Sequence, residues 1–300
     1  MEFDVDRPAG RLDPPSSDLT DIRDAVDERH FQEALNAVEE YGPPSSYHAD
    51  WAHYLKGRAF FGLEYFEAGY NAFEQPYVRT SDVLTEEQSA QRFRLAAMAL
   101  KKMGWLQRRN EEFERAYALH AIEFRYLRQY GSFQEMHDAT ISLDVDSYFL
   151  KNPNLSRMWL ESGVEVAEHI EQPATRYKAL GMSWNNLAGT YCELQRFEDA
   201  DEAIHSSLEQ WTEYEELTGA DEYRRVWAHY GIGDVYQRWG DFLAEMEDEE
   251  AAREKFDEAK HALTGAVQLA EKQSMPTGDR QPLKSKLHRI ESQLREHTAD

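Results

Sequence analysis

Four cations and one tryptophan fall between positions 101 and 109 of this chain: Lys101, Lys102, Trp105, Arg108 and Arg109. Guanidinium forks and ammonium groups suit carboxylates, and an indole ring beside them can pack an apolar side chain. The block stands out because residues 91–128 carry 9 basic and 4 acidic groups within a chain whose formal charge is −24. Such a run can also be a solvated helix face pairing with acidic neighbours. Positive charge gathered on one face is more specific than a mixed run, so we read it as an anion-accepting patch.

Catalytic chemistry has less to stand on. The sequence has no glycine-rich phosphate loop, no GxSxG elbow and no HExxH pair. Cys192 is the only cysteine, so it makes no internal disulfide, and it has no identifiable base partner. His48, His53 and His120 lack a convergent cysteine or carboxylate pattern, and the acidic run Glu245 to Glu250 lacks the alternating ligands and central glycine of a calcium loop. Neither metal nor cofactor is expected, and the chain reads as a non-enzyme.

The elements that must position the basic block are helices. Prolines are sparse and leave between them segments rich in Ala, Leu, Glu, Arg and Gln, while alternating β-branched runs and Asn-Gly or Asp-Gly turns are missing. The fold class is therefore all-α. No apolar run reaches the roughly 18 residues of a membrane span. The N-terminus is acidic and proline-rich where a signal peptide would be basic and then apolar. A soluble, cytoplasmic protein is expected, with residues 1–17 as a disordered arm.

The helices repeat. The clearest unit has Trp184, Leu187, Ala188 and Tyr191, followed by Phe197, Ala200 and Ile204. Alanine at a helix crossing lets two backbones approach while aromatics fill the space on either side. This pattern resembles the tetratricopeptide repeat, and its NNLAxxY text is closest to the long repeats of kinesin-light-chain type. Weaker copies carry Ile22, Ala25, Phe31, Ala34 and Val38; Gly57, Phe60, Phe66, Gly69 and Phe73; Leu100, Met103, Gly104, Phe113 and Ala116; and His229, Ile232, Gly233, Tyr236 and Phe242, with Ala252, Phe256 and Ala259 in the partner helix. A unit around Val145, Phe149, Leu155 and Met158 is the least regular. Placing first large residues at Asp18, His53, Leu100, Ser142, Trp184 and His229 gives mostly intervals above the common repeat of about 34 residues, so long helices are expected. The resemblance implies an α-solenoid of about six helix hairpins over 18–275. Leu283, Leu287, Ile290 and Leu294 form one stripe of a C-terminal capping helix at 280–297.

In proteins of this kind the first helix of each hairpin lines a concave groove, at one, two, five, eight and nine places after the first large residue. That frame implies groove positions Lys101, Lys102, Trp105, Arg108 and Arg109 in one unit and Arg58 in the unit before it. Later units place Asn185, Asn186, Tyr230, Asp234, Gln237 and Arg238 there. The basic set resembles a carboxylate clamp, and Asn186 can hydrogen-bond a ligand backbone. The expected function is a protein-interaction scaffold that binds a protein or peptide, with an acidic segment, in the groove. RNA binding through the same cations and Trp105 competes, but the net charge opposes it. A peptide-sensing regulator is the third reading, weakened because no DNA-binding helix-turn-helix is evident in residues 1–50.

Overall fold

One turn, used again and again, organises the chain. Arg29, Glu64, Glu111, Lys151, Gln195 and Glu247 all have φ between 54° and 68°. In each case the amide of the following residue reaches back five places, as from His30 to the Ala25 carbonyl at 2.8 Å and from Arg196 to the Tyr191 carbonyl at 2.8 Å. This is a Schellman closure, in which a left-handed residue satisfies carbonyls orphaned at a helix end. Within each compact unit it reverses the chain tightly enough for the next helix to lie back on the previous one. Two residues after the turn the next helix starts, four times with phenylalanine: Phe31, Phe66, Phe113 and Phe197. Five residues after it stands a small buried residue, in order Ala34, Gly69, Ala116, Ser156, Ala200 and Ala252.

The computed structural model describes residues 13–78, 86–219 and 221–296. Its regular structure there is entirely α-helical, as expected, and the chain divides into two compact units, Met1–Asn152 and Pro153–Asp300. The first holds α1 (Ser17–Asp27), α2 (Phe31–Glu40), α3 (Ser46–Gly62), α4 (Phe66–Val78), α5 (Glu86–Arg109), α6 (Phe113–Tyr130) and α7 (Phe133–Phe149). The second holds α8 (Pro153–Glu168), α9 (Pro173–Glu193), α10 (Phe197–Thr218), α11 (Glu222–Glu245), α12 (Glu249–Lys272) and α13 (Thr277–Glu296). Within the first unit, α1 pairs with α2, α3 with α4 and α5 with α6, and α7 packs on α6. Within the second, α9 pairs with α10 and α11 with α12, while α8 packs on α9 and α13 on α12. Among the described residues no helix is long and apolar enough to cross a membrane.

Helix starts are set by side chains that satisfy free amides. Ser16, Ser45, Asp221 and Asp248 accept from the amides of Leu19, His48, Arg224 and Ala251, and Ser132 with Glu135 forms a reciprocal capping box. Each such cap stabilises its helix by about 1 kcal/mol. Pro153 and Pro173 open α8 and α9, where a missing N–H costs nothing because no acceptor precedes it. Of the expected N-terminal arm, residues 1–12 lie outside the described residues. Asp13 pairs with Arg23 of α1 at 3.2 Å.

Intervals between these six left-handed residues are 35, 47, 40, 44 and 52, and a seventh, Ser274, lies between α12 and α13. The expected long helices are present, α5, α11 and α12 at 24 residues each. Counting eleven places back from each turn recovers Asp18, His53, Leu100 and Trp184, but gives Thr140 and Tyr236 where Ser142 and His229 were expected. The last shift is seven residues, two helical turns, so the helix face is unchanged. The shift at Ser142 is two residues, which rotates the frame to the other side. In that irregular unit Phe149 and Met158 are exposed, and the buried positions are Thr140, Leu143, Ser156 and Leu160.

The turns and close approaches make opposite demands on glycine. Gln195 holds a left-handed conformation that costs a side-chain-bearing residue about 1–2 kcal/mol, part of which glycine's larger unfolded-state entropy would offset. Gln195→Gly is therefore expected to raise the unfolding free energy by about 0.5–1 kcal/mol in urea titrations. At Gly57 a Cβ would sit 2.6 Å from the Phe73 ring. Gly57→Ala is expected to lower stability by about 1–3 kcal/mol in the same assay, because a buried ring must move.

Candidate partner-binding cleft

The odd-numbered helices are joined to one another by polar side chains. In the first unit Arg58 of α3 reaches Asp27 of α1 at 2.6 Å, and Arg92 of α5 reaches the fully buried Asp50 of α3 at 2.9 Å. Arg94, Lys101 and Arg108 of α5 pair with Glu135, Asp138 and Asp146 of α7 at 3.0, 3.2 and 2.7 Å. Arg108 also donates to the Ser142 carbonyl at 2.8 Å. Fully buried Asp146 meets the His120 Nδ1 at 2.5 Å, while the His120 Nε2 lies 3.3 Å from the Lys101 carbonyl. Both ring nitrogens of His120 thus face oxygen acceptors, and the ring fills the space left by Gly104.

Above this network opens a cleft of about 630 Å³ lined by residues of α1 through α7. The structure brings Arg58, Lys101, Lys102, Trp105, Arg108 and Arg109 together along it. Their electrostatic situations differ. Arg58, Lys101 and Arg108 are paired with carboxylates, whereas Lys102 and Arg109 have no carboxylate partner among the described residues. Desolvation in the crowded cleft, then repulsion from Lys101 and Arg58, holds the Lys102 ammonium below the usual lysine range. The Arg109 guanidinium lies 4.3 Å over the Phe66 ring and 5.7 Å from the Trp105 ring. Trp105 remains 42% exposed, with ring centres 6.0 Å from Phe61 and 5.9 Å from Phe66. Sequence reasoning missed Arg29, Phe61 and Phe66 as cleft residues. Arg29 sits on the left-handed turn and the two phenylalanines flank the next one, so the turn signature was the available signal.

The groove residues expected in the second unit are largely tied up internally. Asn185 is buried, donates to Asp234 and accepts from the Arg238 Nε at 3.1 Å. Asp234 is also paired with Lys286 of α13, whose ammonium burial pushes down to about 8. Buried Gln237 donates to Gln293 of α13 at 3.2 Å, and Gln293 donates to Asp241 at 2.6 Å. Asn186 and Tyr230 face a smaller cavity with Trp227. Cys192 is half-buried, and desolvation followed by repulsion from Glu245 pushes its thiol up to about 11, so it keeps its proton at neutral pH.

One buried acid beside the cleft network is unsatisfied. Glu123 of α6 is 1% exposed, and its Oε2 has no hydrogen-bond partner among the described residues. Burial pushes its carboxyl up to about 8; Lys101 opposes this, Asp138 and Asp146 reinforce it, and Arg108 opposes it. Between its ordinary value near 4.5 and about 8 the folded chain therefore keeps a proton that the unfolded chain releases. Stability is expected to fall as pH rises through that window and to level off above it. Glu123→Gln should flatten this limb and gain on the order of a few kcal/mol at pH 8. Urea denaturation from pH 5 to 9 measures it, and an unchanged slope would mean that Glu123 is ionised in the fold.

No protein-family model and no curated protein matches the chain. Solved structures do resemble it. The apo form of RapI has a TM-score of 0.53 at 16% identity, covering 93% of this chain and 71% of that one. PilF of Pseudomonas aeruginosa has a TM-score of 0.50 at 13% identity, covering 87% and 96%. YrrB, described as a TPR protein with an unusual peptide-binding site, has a TM-score of 0.42 at 16% identity, covering 80% and 97%. At such identities the likeness speaks for fold alone. RapI and PilF are tetratricopeptide-repeat proteins, and six of the seven left-handed turns, each followed five places on by a small buried residue, supply the repeat on the side of this sequence. The chain has the tetratricopeptide-repeat fold.

Proposed function

We propose that this protein is a non-catalytic interaction scaffold whose first unit captures an acidic segment of another protein. Lys102 and Arg109 meet the segment's carboxylates, and Trp105 with Phe61 and Phe66 packs an apolar side chain beside them. The observation that carries this reading is charge without an ion pair: in a chain of net charge −24, these two cations line a cleft and form no salt bridge among the described residues. The paired cations have a different role, since an ion pair fixed between two helices is already committed.

The acidity of the chain does not defeat an acidic ligand. At physiological salt the Debye length is about 8 Å, so exposed carboxylates farther away are largely screened while contacts inside the cleft are not. Hydrogen bonds to charged groups contribute about 1.5–3 kcal/mol each, so removing two should cost at least tenfold in affinity.

Peptides that combine aspartate or glutamate with one aromatic residue, titrated against the full chain, provide the test. Lys102→Glu with Arg109→Glu is expected to weaken binding by about tenfold or more while far-UV circular dichroism stays unchanged. Trp105→Ala should weaken peptides with the aromatic residue and spare those without it. Equal binding by the double variant would remove the cleft from the reading. Tight, steeply salt-dependent binding of single-stranded RNA through the same residues would replace the protein partner with a nucleic acid.

A further inference from the structure

The second unit encloses a separate cavity of about 250 Å³ between α9, α10 and α11. Trp211 lies at its base, inserted between two glycines: a Cβ at Gly181 would sit 2.8 Å from its Nε1, and one at Gly231 would collide with its ring. Both neighbours thus hold the indole in place. Trp211 is 4% exposed, yet its Nε1 has no hydrogen-bond partner among the described residues. That nitrogen is closed off from solvent against Gly181, on the α9 stripe of Lys178, Gly181, Met182 and Asn185, residues three and four apart that share one helix face. Lys178, Met182 and Asn185 of the same stripe line the cavity.

Charge in this cavity is divided as it is in the first unit. Asp234 is taken by Lys286 and by Asn185. Lys178 lies with its ammonium 5.8 Å over the Trp227 ring and has no carboxylate partner among the described residues. One uncommitted cation therefore adjoins walls of Met182, Trp227 and Tyr230. Pockets for drug-sized ligands run to about 300–1,000 Å³, so this one admits a ring with a short acidic arm and not an extended chain.

We propose that the cavity binds a small aromatic carboxylate, its ring against Met182, Trp227 and Tyr230 and its carboxylate at Lys178. The site is independent of the first unit's cleft. Two sources offer this chemistry, a free arylalkanoic acid and the terminal residue of a peptide ending in phenylalanine.

Calorimetric titration of the full chain separates them. One arm uses 3-phenylpropionate, the second uses acetyl-Gly-Gly-Phe with a free carboxylate, and 3-phenylpropionamide serves as the neutral control. Saturable binding of at least one carboxylate is expected, with the tighter arm identifying the source and the amide weaker by about tenfold or more. Lys178→Ala should weaken the carboxylate to the level of the amide. Met182→Trp should fill the cavity and abolish binding at unchanged helicity; should that variant misfold, Lys178→Ala, at a half-buried site, still decides. No saturable binding in the millimolar range, or a Lys178→Ala variant that binds as tightly as wild type, overturns the proposal.

Discussion

Every hairpin in this chain depends on a left-handed residue at its bend, and on what the next five residues must then be. The bend fixes where the second helix starts, so the residue two places on points across to the end of the following first helix. Phe31 packs into the space at Gly62, Phe66 meets Trp105, Phe113 stacks on Phe149 with ring centres 4.8 Å apart, and Phe197 meets Phe242 at 6.0 Å. Such aromatic pairs contribute about 0.5–1.5 kcal/mol beyond the area they bury. The residue five places on must be small, because the two helices cross there. Repetition of one turn therefore sets both the crossing within a hairpin and the joint to the next.

The cleft of the first unit follows from what two successive joints offer. Where Phe31 meets a glycine the joint closes on itself. Where Phe66 arrives, the helix end offers Trp105 with Arg109 beside it, more side chain than the joint needs. The surplus stands in solvent, and Phe61 across the bend widens the apolar face. The binding surface proposed for this protein is thus a variation of the contact that stacks its hairpins, and its apolar part lies where the stacking geometry puts an aromatic.

Much of this was legible in the residues themselves. The unit at Trp184 to Ile204 has the small residue, the aromatics and their spacing in apolar form, and it folds as read. The unit around Thr140 and Ser156 was obscured because its two key positions are polar: Ser156 replaces the crossing alanine and hydrogen-bonds Thr190 at 3.1 Å, and Thr140 holds a place usually taken by a large residue. A hydrophobic pattern cannot show a position whose burial is satisfied by hydroxyl groups. The groove residues were harder for another reason. Lys101 and Lys102 are adjacent and identical in type, and only the position of Asp138 on α7 decides which is paired. That fact is tertiary, and no local pattern contains it.

The same reasoning limits what polar residues on the first helices of such hairpins can mean. Arg92 with Asp50, Arg108 with Asp146, and Asp234 with Asn185 and Lys286 all join one first helix to another. Taking such charges from water costs several kcal/mol per ion, so each pair adds little net stability. Breaking one, however, strands a buried charge, and a hairpin that slides along its neighbour breaks several together. Their role is to hold the stacking register, which apolar contacts alone define loosely. In the proposed readings, a ligand meets the residues that the register does not use. In the first unit these are Lys102 and Arg109, and in the second Lys178. Each stands beside an exposed or cavity-lining tryptophan, Trp105 in one unit and Trp227 in the other, so an unpaired cation with an indole ring is what the stacking network leaves available to a ligand.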